Sequence, residues 1–530
     1  MFVNISEEEI PATFMADICL VGSGVMGLAL TSHLLQHTPL RILLVEQGGL
    51  MDTDALSAVP EELNSGDVPS GVNHSRAMGF GGSSRRWGGE ALPFLPLDLS
   101  DRPFLGPLGP WPITYGELKP YYRMAAEFLA LGSTPFETDL WRDPSLQQWF
   151  GPSHPLEINF SKHSPIAYLA KHHRGQIGRS HRVTCLLEAK VVEIQLSTSG
   201  QRAEAVRVRS KGGKEALLRT TTVVLCGGGI ENPRLLLASR QGERRGIGND
   251  HDLVGRYYQD HVGFYGARLR PINQRLFSHL FASFLSGNQK YLPKLQLTPH
   301  HQSAQGVLNV TGNIAFEESK QSPLQTLRRL RRRLTGAPRD PGEKGGLDDL
   351  ARLIQAPGGV LPIVSSALRG RVHFPKDAAF FLIGNAESEP LADSRILLSD
   401  QVDDYNLARP QVHWLVSERT LEALRAYFGA VKVALEGAGI AEVTLTPSLN
   451  DPALDWKAKA YSLYHHMGAT RMAHSPRQGV VDGNSRVHGV ANLFVVGTSV
   501  LPTGSASNPS FTALALTFRL GEHLSSRFRR

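Results

Sequence analysis

The chain has little cysteine. Only Cys19, Cys185 and Cys226 occur in 530 residues, far apart and without the spacing of a metal site. Three scattered thiols make no disulfide framework, and Cys19 and Cys226 fall inside apolar runs where cysteine behaves as a small buried residue. No metal-ligand set is read from the sequence. Long apolar stretches are missing too, and none approaches the roughly 20 residues of a membrane span. The opening residues Met1 to Glu9 are acidic and lack the apolar stretch of a secretory leader. A soluble, cytoplasmic protein is expected.

Charge of one sign is not in large excess: 56 basic against 49 acidic residues leave +7. Much of that excess sits in Arg328, Arg329, Arg331, Arg332 and Arg333, and in the closing Arg527, Arg529 and Arg530. Leu324, Leu327, Leu330 and Leu334 keep helical spacing beside the first cluster, which predicts an amphipathic basic helix. Its first reading is a solvated surface helix packed through its leucines. The second is a peripheral membrane or acidic-partner contact through Leu324–Leu334. No nucleic-acid module accompanies the arginines, so nucleic-acid binding is not expected. With 41% hydrophobic and 20% charged residues the composition is that of an ordinary globular protein, and the length calls for two lobes.

What is present is glycine in informative places. The apolar run Asp17–Val21 leads into Gly22-Ser23-Gly24-Val25-Met26-Gly27, then a helical stretch from Leu28, then a second strand from Arg41 ending in Glu46. Strand, glycine loop, helix and strand form a dinucleotide-binding βαβ unit. Gly22, Gly24 and Gly27 let the backbone come close to a pyrophosphate at a helix N-terminus. Glu46, nineteen residues past Gly27, is placed to accept ribose hydroxyls and would repel a 2′-phosphate, which favours FAD or NAD over NADP. A second glycine loop spans 79–89, a helix is predicted over 115–131, and 183–228 reads as strands with a hairpin tip near 197–201. A helix is predicted from Pro233. A Pro/Gly/Arg-rich insert lies near 336–360.

The C-terminal stretch carries a histidine pair, His465-His466, before Met467-Gly468, and an Asn508-Pro509 step after the apolar run that ends at Gly497-Thr498. A neutral imidazole in reach of an alcohol can take its proton, and an amide can hold the oxygen without competing for that proton. Asn508 before Pro509 also fits a plain turn, and isolated histidines are commonly structural. Arg471 reads as structural.

Taken in order, the chain resembles the glucose-methanol-choline family of flavin oxidoreductases. The resemblance rests on the fingerprint with Glu46, on Gly81-Gly82-Ser83-Ser84 to Trp87-Gly88, and on Trp111 to Tyr115. It continues through Gly227 to Leu237, Gly255-Arg256-Tyr257 with Asp260-His261, and the C-terminal stretch. Only about 270–360 is unanchored. The closest flavour is the bacterial sugar-acting and pyranose-oxidase-like branch. The resemblance implies FAD as cofactor, with Gly81, Gly82, Ser83 and Ser84 along its pyrophosphate and flavin edge. It also implies Val191 near the adenine, Gly497 and Thr498 at the phosphates, and Asn508 and Pro509 beside the flavin.

In the same way it implies His465 as general base, with His466 as the alternative, and Asn508 as its catalytic partner. Hydride would pass from a CH–OH carbon to flavin N5. A polyol or sugar is the implied substrate, and oxygen, a quinone or a redox protein the electron acceptor. Arg86 stands where some pyranose-oxidase-like members carry a flavin-linked histidine, so noncovalent FAD is expected. Two other outcomes stay open: a lyase using the same scaffold without redox turnover, and a flavin-binding partner protein.

The fold class expected is α/β, a Rossmann-like FAD-binding domain with an inserted antiparallel-sheet-plus-helices substrate domain. The boundaries expected are 1–100, 155–265 and 450–530 for the first and 266–449 for the second, with 100–154 as a connecting or lid segment.

Overall fold

A computed structural model describes the chain apart from residues 9–12, 51–59, 70, 75, 106–109, 133–135, 137–148, 151–152, 241–244, 320–321, 336–348, 351–352, 354–356 and 529–530. The first part of the predicted insert, and much of the expected lid, fall outside the described residues. Among the described residues no helix is long and apolar enough to cross a membrane.

Two sheets organise the molecule. The first has eight strands. Its parallel core runs Phe2–Asn4, Val183–Leu187, Ile42–Val45, Thr13–Val21, Glu215–Leu225. Ile42 to Val45 and Val223 to Leu225 are buried without alternation, as expected for strands covered on both faces. Glu215–Leu225 splits its outer edge. Its first half pairs antiparallel with Ala203–Arg209, while Val223 to Leu225 pair in parallel with Leu493–Val495. The C-terminal stretch therefore enters the same sheet as the fingerprint strand.

Helix Val25–His37 follows the fingerprint and packs against the last helix, Pro509–Phe528. Helix Tyr115–Phe128 packs on that last helix as well; Thr114 and Glu117 close its N-terminus as a reciprocal capping box. The helix predicted from Pro233 instead starts at Gly228 and runs to Ala238. The Asn232 side chain accepts from Gly227 N–H at 2.7 Å and donates to the Val496 carbonyl at 2.9 Å. This side-chain tie holds the helix start around the proline and fastens it to the C-terminal segment.

The second sheet has nine strands, in the order Ala441–Leu445, Val262–Pro271, Ala379–Ala386, Val310–Glu317, Gln289–Leu297, Leu156–His163, Glu90–Ala91, with two short strands off that path. Its pairings are antiparallel. Helix Glu418–Gly437 covers it, burying Tyr427 and Phe428. Leu156–His163 and Glu90–Ala91, placed by sequence in the first lobe's segments, pair here instead. A third, three-stranded sheet joins Arg395–Val402, Ala408–Trp414 and Asn64–Gly66.

Candidate functional site

A cavity of about 560 Å³ opens where the parallel strands end, bounded by Val21, Val45 and Cys226 at the strand tips. Ligands of open parallel sheets bind at these carboxyl ends. Gly22, Gly24 and Glu46 form one wall. A Cβ on Gly27 would meet the Gly22 carbonyl oxygen at 2.0 Å, so Gly27 lies off the cavity and serves the packing of helix on loop. A Cβ on Gly24 would meet nothing within 4 Å and would project into open space. Helix Val25–His37 has no side-chain N-cap, which leaves its first amides for an anion. The open space beside Gly24 and the uncapped amides fit a dinucleotide pyrophosphate.

Glu46 stands where expected, but protein donors already converge on it. Ser23 N and Oγ donate to Oε2 at 3.0 and 2.7 Å, and the amides of Gly48 and Gly79 donate to Oε1, each at 3.0 Å. The carboxylate thus fixes the two glycine loops against one another. Gly82 and Ser83 line the cavity, whereas Gly81 and Ser84 stand behind it. Gly81 donates its amide to the Ser23 carbonyl, and Ser84 Oγ donates to the Gly81 carbonyl at 2.6 Å. Val191, then Gly497 and Thr498, and finally Asn508 and Pro509 also border the cavity. Pro509 is the first residue of the last helix, so the Asn508 step is a helix entry. Arg86 lies on the wall beside Trp87.

His465 and His466 both reach this cavity. Tyr464, just before them, takes a left-handed φ of 65°, unusual for a bulky residue and characteristic of functional turns. The His465 amide donates to Asp260 Oδ1 at 2.7 Å, as does the His261 amide at 2.7 Å, while Ser462 Oγ donates to Oδ2 at 2.6 Å. One buried carboxylate thus pins both backbones. Burial pushes Asp260 up to about 7, against these donors, which pull it down.

The ring contacts separate the two histidines. His466 Nδ1 lies 2.6 Å from the Tyr258 hydroxyl, and burial, with Arg76 nearby, lowers His466 to about 3. His465 Nδ1 lies 2.8 Å from His261 Nδ1, and His261 Nε2 lies 3.1 Å from the Gly504 carbonyl. A carbonyl only accepts, so His261 carries its proton on Nε2 and presents Nδ1 as acceptor. His465 must then carry its proton on Nδ1, leaving Nε2 as its basic nitrogen. These protons are assigned from the bonding pattern. Burial first, then the neighbouring His261 and His466, hold His465 well below the ordinary imidazole value. Burial lowers His261 as well.

The sequence reading gave no role to Asp260, His261 or Tyr258, although Asp260-His261 belonged to a quoted motif. It also missed an ionic cluster on the cavity flank. Lys190 Nζ lies 3.3 Å from Glu231 and 3.2 Å from Asp403, Arg234 pairs with both acids, and Arg76 pairs with Glu231. Desolvation opposes ionisation of Glu231, but its three cationic neighbours win and its pKa falls. Glu231 and Arg234 sat in the segment after Gly227, where a charged pair on an otherwise apolar helix was the available signal.

Two GMC oxidoreductase family models match the chain, over residues 177–263 and 390–517. A 2-methyl-1,2-propanediol dehydrogenase from Mycolicibacterium austroafricanum is 25% identical, covering 84% of this chain and 81% of its own. A fructose dehydrogenase large subunit from Gluconobacter japonicus is 21% identical over 96% of this chain and 98% of its own. Among solved structures, a formate oxidase variant from Aspergillus oryzae RIB40, determined for its FAD modification, superimposes with a TM-score of 0.57. It is 15% identical and covers 98% of this chain and 100% of its own.

Proposed function

We propose that this chain, a GMC oxidoreductase and an FAD-dependent enzyme, oxidises a CH–OH group of a sugar, glycoside or other polyhydroxylated compound with His465 as general base. The observation that carries this reading is the proton arrangement of His465 and His261, which leaves His465 Nε2 basic in a cavity that Asn508 also borders. Relatives named for a diol and for fructose support the substrate class.

In this reading the lobe built on the eight-stranded sheet holds the cofactor, with Gly22, Gly24 and the uncapped helix amides at the pyrophosphate. Glu46 fixes the loops and borders the ribose, Gly82 and Ser83 follow the pyrophosphate, and Val191 meets the adenine. Gly497, Thr498 and Pro509 close the far wall, and the nine-stranded lobe covers the substrate. Bound there, FAD supplies a two-electron acceptor for the hydrogen leaving the carbinol carbon. The residues do the rest. Asn508 holds the substrate oxygen by its amide. His465 Nε2 takes the hydroxyl proton, help worth ~10²–10⁴-fold in rate. His261 keeps the receiving nitrogen deprotonated, and Asp260 keeps both imidazoles in place. The enzyme is assigned to the cytoplasm.

Anaerobic flavin bleaching against a panel of sugars, glycosides and diols tests the reading, followed by reoxidation with air or a quinone to identify the acceptor. His465→Ala should keep the flavin and lose most of the reduction rate. Wild-type bleaching in that variant would remove the base assignment, and product formation without bleaching would remove the redox reading.

A further inference from the structure

The arginine helix foreseen from sequence forms, as Pro323–Thr335, and a second helix, Pro357–Leu368, packs against it. That second helix has no charged residue. Val360 and Ile363 are half-buried, while Leu361, Val364 and Leu368, spaced along one helical face, are 68%, 45% and 85% exposed. An apolar helix in a water-soluble fold normally hides every side, so an open leucine face requires a covering.

The exposure is concentrated here. Among the described residues fifteen large hydrophobics are exposed, and five of them, Leu350, Leu361, Val364, Leu368 and Val372, fall within residues 350–372. A sixth, Leu285, is joined to the same place, because its amide donates to the Gly370 carbonyl at 2.6 Å. The surrounding sequence is mainly basic: residues 323–372 hold ten arginines and lysines against four acids. Segments 323–335 and 357–372 together contain seven arginines and no acid. Arg329 is satisfied by Asp349 at 2.8 Å, and Arg328 is near Glu318 at 3.9 Å. Arg371 lies over the Phe284 ring and donates to the His279 carbonyl.

We propose that this corner of the molecule docks on an anionic lipid bilayer surface. The leucine face of helix Pro357–Leu368 would enter the headgroup boundary, with the arginines on the anionic headgroups around it. Protruding apolar side chains with an exposed arginine beside them, here Arg369 at the end of the helix, are the pattern of an interfacial helix. At twelve residues, and so about 18 Å, the helix is too short to span and long enough to lie in the plane. An acidic protein would complement the arginines but would leave the leucines unexplained, and a second copy of this chain would face arginine with arginine. The proposal does not depend on the substrate or on the catalytic base.

The test is co-sedimentation of the flavin-loaded protein with vesicles of phosphatidylcholine alone and of phosphatidylcholine with phosphatidylglycerol. Binding is expected to the anionic vesicles only and to weaken with salt. Arg369→Gln should lower partitioning about fivefold, and the Leu361→Glu, Leu368→Glu double variant by more than about tenfold. Flavin content and bleaching by substrate should stay at wild-type levels, which shows that the variants are folded. Equal binding to neutral vesicles overturns the electrostatic half of the proposal. A protein that stays in solution with both vesicle types overturns all of it. So does a stable dimer that the leucine variant splits while vesicle binding is absent.

Discussion

His261 Nδ1 lies 2.8 Å from His465 Nδ1, and the Gly504 carbonyl 3.1 Å behind His261 allows a single neutral arrangement of the two rings. His261 thereby chooses the tautomer of its neighbour. When His465 gains a second proton on Nε2, the proton on its Nδ1 can shift toward His261 Nδ1, so the new charge is spread over two imidazoles. His261→Ala removes the acceptor and frees His465 to turn or change tautomer. Flavin content should be unchanged, while anaerobic flavin reduction should slow about 10–100-fold. His261→Asn, whose amide oxygen can still accept, should recover part of the loss. Stopped-flow reduction at wild-type rate in both variants would show that the contact has no role in turnover.

Two of the three fingerprint glycines, Gly24 and Gly27, should fail differently. Gly27→Ala places a Cβ at 2.0 Å from the Gly22 carbonyl, a backbone atom that cannot withdraw without moving the loop. Gly24→Ala meets nothing within 4 Å. Gly27→Ala is therefore expected to lower the melting temperature even when flavin is absent. Gly24→Ala should melt like the wild-type apoprotein and take up flavin poorly, because its methyl occupies cavity space. Equal flavin affinity in Gly24→Ala would mean that no cofactor approaches this backbone.

That contrast also shows what the sequence could reveal. Gly22, Gly24 and Gly27 are legible because their reason is local, a stretch of six residues that joins one strand to the first turn of one helix. The role of the Asp260-His261 step is not. His261 meets His465 because Val262 pairs with Ser462 across antiparallel strands, a register set some two hundred residues apart in the chain. The pairing of Leu156–His163 is out of reach for the same reason, because its partner Gln289–Leu297 lies beyond any window of periodicity. The start of helix Gly228–Ala238 was misplaced for a related reason, since Asn232 reaches the Val496 carbonyl and the proline signal alone could not show that tie.

Arg86 borders the cavity beside Trp87, and a guanidinium forms no covalent link to a flavin ring. Acid precipitation of the yellow protein should leave the chromophore in the supernatant. A coloured pellet would identify a covalent link and send attention to the other side chains on that wall.

As the pH falls, two residues 3.6 Å apart should pull stability in opposite directions. His466 sits at about 3 in the folded protein because of burial and Arg76, against about 6.5 for an unfolded histidine. Between these values the unfolded chain holds a proton that the folded one lacks, so unfolding free energy rises with pH. Going from pH 6.5 to 5 removes about 2 kcal/mol through this one group. Asp260 is raised to about 7 by burial, so between its unfolded value of about 3.9 and 7 the folded state holds the extra proton. Its contribution is present below the unfolded value and is lost as pH rises through 7. His466→Asn should flatten the acid loss between pH 5 and 7, and Asp260→Asn should steepen it. Urea unfolding at pH 5, 6 and 7 reads both slopes. Parallel curves for the two variants and the wild type would mean that neither group changes its protonation on folding.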